Sequence, residues 1–262
     1  FTEAHITDGT ITQPSDGWVR FDMTQAILGD VPLGAETQDD ERELLDYFRF
    51  CDTTFNDFDF SNHTSYLDRN DWNLHTFNAG SEDYEFNVEM TPEVIEKTYL
   101  KAKKNASSQS NVKAAGEFRV KRQENARKKF ISITRNATED IGTRARNLLR
   151  AAENLFLGIS CGYGLRLHRL TAVFILFPTL AAGIFALGGP AFETGAGQTT
   201  VSALLTPGGL ETLAMNGYFA YITFLTIGYG KIGPIGMGAR FLAASLVYLN
   251  VILAGLFLYA LI

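Results

Sequence analysis

Two apolar stretches near the C-terminal end constrain the fold of this 262-residue chain more than any other feature. One covers about residues 170–187 and the other about residues 241–262, and neither contains an acidic or basic side chain. A helix needs about 20 apolar residues to cross the hydrocarbon core of a bilayer. We therefore expect two transmembrane helices. Pro178 lies within the first, where neighbouring groups can bond to the carbonyl that the proline leaves without a donor.

A shorter apolar run at about residues 210–224 lies between these stretches and is followed by Thr226–Gly230 (TIGYG). Roughly 15 residues are too few to span a bilayer, so we expect a re-entrant pore helix. A strand whose carbonyls all point to one side needs left-handed or strained dihedrals at alternate residues, which glycine tolerates best. Gly228 and Gly230 therefore favour such a strand directly after the pore helix.

Charge is segregated along the chain. Residues 1–100 carry 22 acidic and 5 basic side chains, residues 101–150 carry 4 and 14, and residues 151–262 carry 3 and 4. Lys and Arg concentrate on the cytoplasmic flanks of membrane helices. Five arginines lie within 26 residues of the first apolar stretch, whereas Lys231 and Arg240 are the only basic residues between the two stretches. The sequence predicts a multi-pass protein of the cell membrane with both chain ends in the cytoplasm.

The basic zone of residues 101–150 has two predicted partners, namely anionic lipid headgroups and the acidic zone of residues 1–100. The alternative is an ordinary solvated helix face. The zone lacks the interleaved aromatic pattern of a base-stacking surface, so we do not expect nucleic acid to bind. The chain also shows no nucleophile–base constellation, no metal-ligand spacing of histidines and no cysteine framework. These observations argue against an enzyme and against a bound cofactor.

Local patterns predict two domains before the membrane segment, an acidic domain at 1–90 and a basic helical domain at 91–164. Thr91-Pro92-Glu93 is typical of a helix start, and we expect helices to about residue 104, at 112–133 and at 138–159. Residues 37–50 predict a short helix. Residues 53–78 place apolar side chains five apart, which predicts either a degenerate pentapeptide-like repeat or half-buried strands.

The apolar stretch, pore helix, TIGYG and second apolar stretch together resemble the two-transmembrane module of the potassium channel family over about residues 165–262. The Cys161–Gly164 (CGYG) junction and the basic residues 115–129 are similar to those of microbial proteins that fuse this module to a cytoplasmic domain with pentapeptide-like and helical segments. The resemblance implies a membrane α-helical fold and a homotetramer around one axis. It also implies that K⁺ passes as the permeant ion through stacked rings of filter carbonyls.

Carried over residue by residue, the resemblance implies that the selectivity filter consists of Thr226, Ile227, Gly228, Tyr229 and Gly230. Tyr218 and Phe219 fall where the family places aromatic residues that brace the filter. Two departures concern its support: Lys231 stands where an acid usually follows the filter, and Ile222 where some members hold a carboxylate.

Asn250 and Gly255 are further candidates, both in the second apolar stretch. A polar side chain facing lipid is costly, so we expect Asn250 to face the central cavity, the alternative being an interhelical hydrogen bond. Gly255 is a candidate flex point for an inner gate or, alternatively, a packing contact.

The expected function is passive potassium conduction, with the cytoplasmic domain assembling the pore or gating it through an unknown ligand or protein. No arginine-rich helix precedes the pore, which argues against voltage sensing by the usual means. Two alternatives stay open: a weakly selective cation channel, suggested by Lys231 and Ile222, and a non-conducting membrane anchor for a sensor or scaffold.

Overall fold

A computed structural model describes residues 1–15, 17–36, 43–78, 89–228 and 231–261. The chain divides into two compact units, Phe1–Gly158 and Ile159–Ile262.

Seven short strands at the start of the first unit form a parallel coil, which we call the β-coil (residues 5–55). They stack in the orders β1–β4–β7, β2–β5 and β3–β6, and every pairing is parallel. His5 pairs with Ile27 and Ile27 with Thr54, so the chain returns to the same stack after 22 and then 27 residues. The strands are β1 (His5–Ile6), β2 (Ile11–Gln13), β3 (Phe21–Asp22), β4 (Ile27–Leu28), β5 (Leu33–Ala35), β6 (Phe48–Arg49) and β7 (Thr54–Phe55).

Register partners on successive circuits stabilise the β-coil through their side chains. Phe21 stacks on Phe48 with ring centroids 4.9 Å apart. The next pair in the same ladder is Asp22 and Arg49, whose buried side chains form a bidentate ion pair with contacts of 3.1 and 2.5 Å. A one-residue slip would separate both pairs, so they fix the register of this ladder.

The position of the coil differs from the prediction. We expected a pentapeptide-like repeat or strands within residues 53–78, but only β7 is a strand there, and it is followed by a 3-10 turn at Ser61–His63 and by helix α1 (Thr64–Arg69). Four of the five predicted apolar positions are buried, whereas Phe77 is half-buried. A five-residue spacing therefore identified core residues but not their secondary structure.

The predicted helix at 37–50 is also wrong where the structure describes it, since Leu44–Tyr47 form a 3-10 turn and Phe48 enters β6. Residues 37–42 lie outside the described residues. Pairing with β3 and burial of Phe48 override the helical pattern at its C-terminal end.

Helices α2 (Pro92–Ser108) and α3 (Val112–Arg135) pack against each other and close the end of the β-coil. Thr91 caps α2 by accepting a hydrogen bond from the Val94 amide at 3.3 Å. On α3, Phe118 is fully buried, with its ring centroid 4.8 Å from Phe60 and 5.2 Å from Trp72. Residues on both sides of position 90 therefore share one hydrophobic core.

Helix α4 (Ile141–Cys161) follows α3. Its first residues are capped by Asp140, whose carboxylate accepts a hydrogen bond from the Thr143 amide at 2.8 Å. A turn at Gly162–Gly164 follows, in which Tyr163 has a left-handed conformation.

The second unit contains three further helices, α5 (Leu167–Leu187), α6 (Pro207–Phe224) and α7 (Met237–Leu261). Each of the three packs against the other two. Leu167–Leu187 and Met237–Leu258 are long and apolar enough to cross a membrane, both with a mean hydropathy of 2.3. Both predicted membrane stretches are thus helical, and α6 between them, with 18 residues, is not among the described helices that are long and apolar enough to span.

Candidate ion-conduction pathway

Helix α6 begins at a well-defined cap. The Thr206 hydroxyl accepts a hydrogen bond from the Gly209 amide at 3.2 Å, and Pro207 occupies the first turn, where its missing N–H costs nothing. Gly209 has no room for a side chain, because a Cβ there would lie 2.0 Å from the Ala203 carbonyl oxygen. The loop before α6 therefore packs directly on its first turn.

The C-terminal end of α6 leads straight into the TIGYG sequence through a Schellman motif. The Ile227 amide donates to the Ile222 carbonyl at 3.0 Å, and the Thr226 amide donates to the Thr223 carbonyl at 3.1 Å. Thr226 takes the left-handed conformation of this motif, with φ +57°. A helix C-terminus carries a partial negative charge, so α6 directs a cation-attracting end toward these residues.

Two alternate residues of TIGYG have positive φ, Thr226 at +57° and Gly228 at +71°. A β-branched residue in this region is strained by about 1–3 kcal/mol, and such outliers concentrate at functional sites. The alternation is the one that a strand with its carbonyls on one side requires. Tyr229 and Gly230 lie outside the described residues.

Aromatic side chains hold α6 against α5. The Phe219 side chain is buried, with its ring centroid 5.3 Å from Phe185, and Phe224 lies 5.6 Å from Phe174. Tyr218, the second residue expected to brace the filter, is half-exposed within one subunit.

Tyr221 ties the same two helices together at the proline of α5. Its hydroxyl lies 2.8 Å from the Thr179 hydroxyl and donates to the Ile175 carbonyl at 3.2 Å. Pro178 cannot donate to the carbonyl of Phe174 four residues earlier, and the two hydroxyls bond the next carbonyl along the helix, that of Ile175.

A buried polar network fixes the segment that follows TIGYG. Asn216 of α6 is fully buried, and its amide donates to the carbonyls of Gly197 and Thr212, both at 3.0 Å. The Thr194 hydroxyl donates to the Asn216 side-chain oxygen at 2.5 Å. The Glu193 carbonyl in turn accepts from the amides of Ile235 and Gly236. The loop before α6 and the loop after TIGYG are thus joined to each other and to α6.

Sequence reasoning missed Thr194 and Asn216. The signal was present in Asn216, an amide side chain within an otherwise apolar helix, because such a group requires hydrogen-bond partners when it is buried. Its partners lie 19 to 22 residues away in a loop of Gly, Thr and Ala, and no periodic pattern connects them.

The other predicted residues occupy varied surroundings. Lys231 is exposed, whereas Ile222 on α6 and Asn250 on α7 are half-buried. Gly255 is exposed, and a Cβ there would meet no described atom within 4 Å. No close contact inside the described part of one subunit therefore explains glycine at position 255.

Comparison with known proteins agrees with this arrangement. Residues 210–262, which include all but the first three residues of α6 together with TIGYG and α7, match the model of a family described as "Ion channel". No curated protein and no solved structure gives a significant match to the chain. The resemblance to the two-transmembrane channel family is therefore confirmed over residues 210–262, and two helices of the same unit are long and apolar enough to cross a membrane.

Proposed function

We propose that this chain is one subunit of a homotetrameric potassium channel whose filter is Thr226–Gly230. One loop supplies a quarter of each carbonyl ring, so four copies surround the ion pathway. Potassium crosses passively, and the N-terminal unit assembles or gates the pore. The protein lies in the cell membrane with both termini in the cytoplasm. The acidic zone of residues 1–100 is a partner of the basic zone, since Lys101, Lys113 and Lys121 form ion pairs with Asp52, Asp68 and Asp71.

The observation that carries this proposal is the order of elements within the residues that match the ion-channel family. A helix less apolar than the two candidate spans, two alternate positive φ values in TIGYG and an apolar helix follow one another in the chain. Rings of backbone carbonyls that replace the hydration shell of K⁺ need such a chain path.

Reconstitution of the purified protein into liposomes tests the proposal. We expect potassium flux that barium blocks, and a reversal potential under a potassium–sodium gradient close to that for potassium. Intact tetramers that pass no ion would overturn the proposal in favour of a non-conducting membrane anchor.

A pair of glycine variants sharpens this test. Gly228→Ala places a side chain on a backbone with φ +71°, so we expect it to abolish selective flux. Gly183→Ala on α5 is the matched control, because its Cβ would meet no described atom within 4 Å and should leave flux unchanged. Equal flux from both variants would argue against a filter at Thr226–Gly230.

Weak cation selectivity is a second candidate function. It is favoured by the exposed Lys231, where the family usually has an acid after the filter, and by the half-buried apolar Ile222, where some members hold a carboxylate behind it. A reversal potential near zero under the same gradient would identify this function, because the two ions would then cross at similar rates.

A further inference from the structure

Helix α4 carries an apolar stripe that the subunit leaves uncovered. Ile141, Leu148 and Leu155 lie seven residues apart, and Ala145 and Ala152 alternate with them at the same spacing. We call these five residues the α4 seam. Ile141, Leu148 and Leu155 are 82%, 57% and 45% exposed, and Leu149 at the edge of the seam is 71% exposed. A surface helix normally turns such a stripe toward the core of its own domain.

The buried face of α4 is a different one, about a third of a turn around the helix from the seam, and it is mainly polar. Asn147 and Asn154 are both 7% exposed, and Ala151 lies between them. The Asn154 amide donates to the side-chain oxygen of Gln123 on α3 at 3.1 Å, and the Asn147 amide donates to the Thr143 carbonyl at 2.9 Å. Rotating α4 to bury the seam would break the contact with α3 and expose these groups in its place.

Arginine contacts hold α4 in the same rotation. The Arg144 side chain donates to the Thr134 carbonyl at 3.0 Å, and the Arg150 guanidinium lies 6.0 Å from the ring centroid of Phe130. Both arginines therefore serve contacts with α3. Interfacial helices that lie on lipid use their basic side chains for headgroups instead.

The spacing of the seam identifies its partner. Apolar residues that alternate at intervals of three and four over two heptads form the a and d positions of a coiled coil, with Ala at a and Ile or Leu at d. Small residues at a allow two helices to approach closely, whereas they add little to lipid binding. A helix with this register is suited to pack against parallel copies of itself.

We infer that the α4 seam packs against the α4 seams of the other subunits and forms a parallel helical bundle next to the pore domain. This inference rests on the proposed tetramer, in which all subunits have the same orientation in the membrane and their α4 helices are parallel. Only residues 162–166 separate α4 from α5, so assembly of four pore domains brings the four α4 helices to a high local concentration.

Cysteine cross-linking in the full-length protein in native membranes tests the inference. Leu148→Cys places a thiol at a d position of the seam, and Arg146→Cys places one on the same helix outside it. With a short bismaleimide we expect at least tenfold more cross-linked dimer from Leu148→Cys than from Arg146→Cys. The native Cys51 and Cys161 are buried, and the parent protein serves as the control for any cross-linking through them. Leu155→Cys, one heptad later, should repeat the result.

Two outcomes would overturn the inference. Equal or absent cross-linking from both variants would show that the seams do not meet. The other outcome is that lipid covers the stripe. The thiol of Leu148→Cys would then be protected from aqueous maleimide without being cross-linked, and brominated lipid would quench a fluorophore attached at the same position.

Flux and mass measurements on the same preparations separate this inference from the proposed function. A tetramer that conducts potassium without cross-linking at the seam would contradict the bundle alone. Cross-linking through the seam in a protein that passes no ion would support the bundle and contradict the channel.

Discussion

At the scale of single residues, the Thr194–Asn216 network determines how the loops around TIGYG are held. In the family that the C-terminal module resembles, an acid usually follows the filter and some members hold a carboxylate behind it, whereas this chain has Lys231 and Ile222 in those positions. The structure instead joins the flanking loops through Asn216, whose amide is fully buried and bonded on both sides. A buried network with every group satisfied is rigid, whereas a partly satisfied one is costly.

We therefore predict that Asn216→Ala lowers the stability of the pore domain. The substitution leaves the buried Thr194 hydroxyl without this partner, at a cost of about 1–3 kcal/mol, and also removes the bond to the half-buried Gly197 carbonyl. Thermal unfolding of the detergent-solubilised protein measures the effect. Asn250→Ala is the matched control, and if Asn250 faces a water-filled cavity its loss should cost less than about 1 kcal/mol. Equal shifts for both variants would contradict a special role of the network.

His75 makes the N-terminal unit sensitive to acid. Its Nδ1 atom lies 2.9 Å from the hydroxyl of the buried Tyr99, which also accepts a hydrogen bond from the Leu74 amide. Burial, together with the smaller effect of the nearby Lys128 and Lys121, lowers the pKa of His75 to about 4. The neutral imidazole is thus the form that the folded state prefers.

A folded-state pKa below the unfolded value of 6.5 has a defined consequence for stability. Above pH 6.5 the contribution of His75 is constant. As the pH falls from 6.5 toward 4 the unfolded state binds a proton that the folded state does not, and up to about 3 kcal/mol is lost.

We predict that His75→Gln removes this part of the pH dependence. Urea unfolding of the full-length protein, followed by tryptophan fluorescence at pH 7 and pH 4.5, provides the measurement. The parent protein also contains His63, whose pKa burial lowers, so the difference between parent and variant isolates His75. Identical losses of stability in both proteins would refute the assignment.

At the scale of elements, α3 closes the open end of the β-coil with one side chain. Phe118 contacts Phe60 and Trp72, which follow β7 in the chain, and Tyr99 of α2. We predict that Phe118→Ala destabilises the N-terminal unit by about 3–5 kcal/mol, because a large cavity forms where the coil and helices meet. Val112→Ala on the same helix should cost less than about 0.5 kcal/mol, since Val112 is 81% exposed. Urea unfolding midpoints distinguish the two, and a small loss for Phe118→Ala would mean that the coil closes without α3.

The elements also show what the sequence could and could not predict. The helices that carry strong local signals were found, as Thr91 and Pro92 at the start of α2 and the uncharged residues of α5 and α7 illustrate. The β-coil was not found at residues 5–55, because its strands have only two or three residues and pair with others 22 to 27 positions away. Such pairing depends on the tertiary fold, which single-sequence periodicity does not report.

At the scale of the whole molecule, fourfold assembly turns single side chains into rings. In the proposed tetramer, four copies of Lys231 surround the outer mouth, whereas one subunit shows only an exposed lysine after TIGYG. At roughly 8 Å from the axis, four unit charges in water repel an entering cation by about 2 kcal/mol without salt. Screening reduces this to about 0.9 kcal/mol at 0.1 M salt and about 0.1 kcal/mol at 1 M.

We therefore predict that Lys231→Gln raises single-channel potassium conductance about fivefold at 0.1 M salt and hardly at all at 1 M, because salt already screens the ring there. Recordings from planar bilayers at both concentrations provide the measurement. Lys231→Arg keeps the charge with a similar reach and should leave conductance unchanged at both concentrations. A conductance gain for Lys231→Gln that persists at 1 M would show that the lysine acts through steric hindrance or filter geometry. Equal conductance of all three proteins at 0.1 M would show that residue 231 lies away from the ion path. That result would also contradict the filter proposed directly before it.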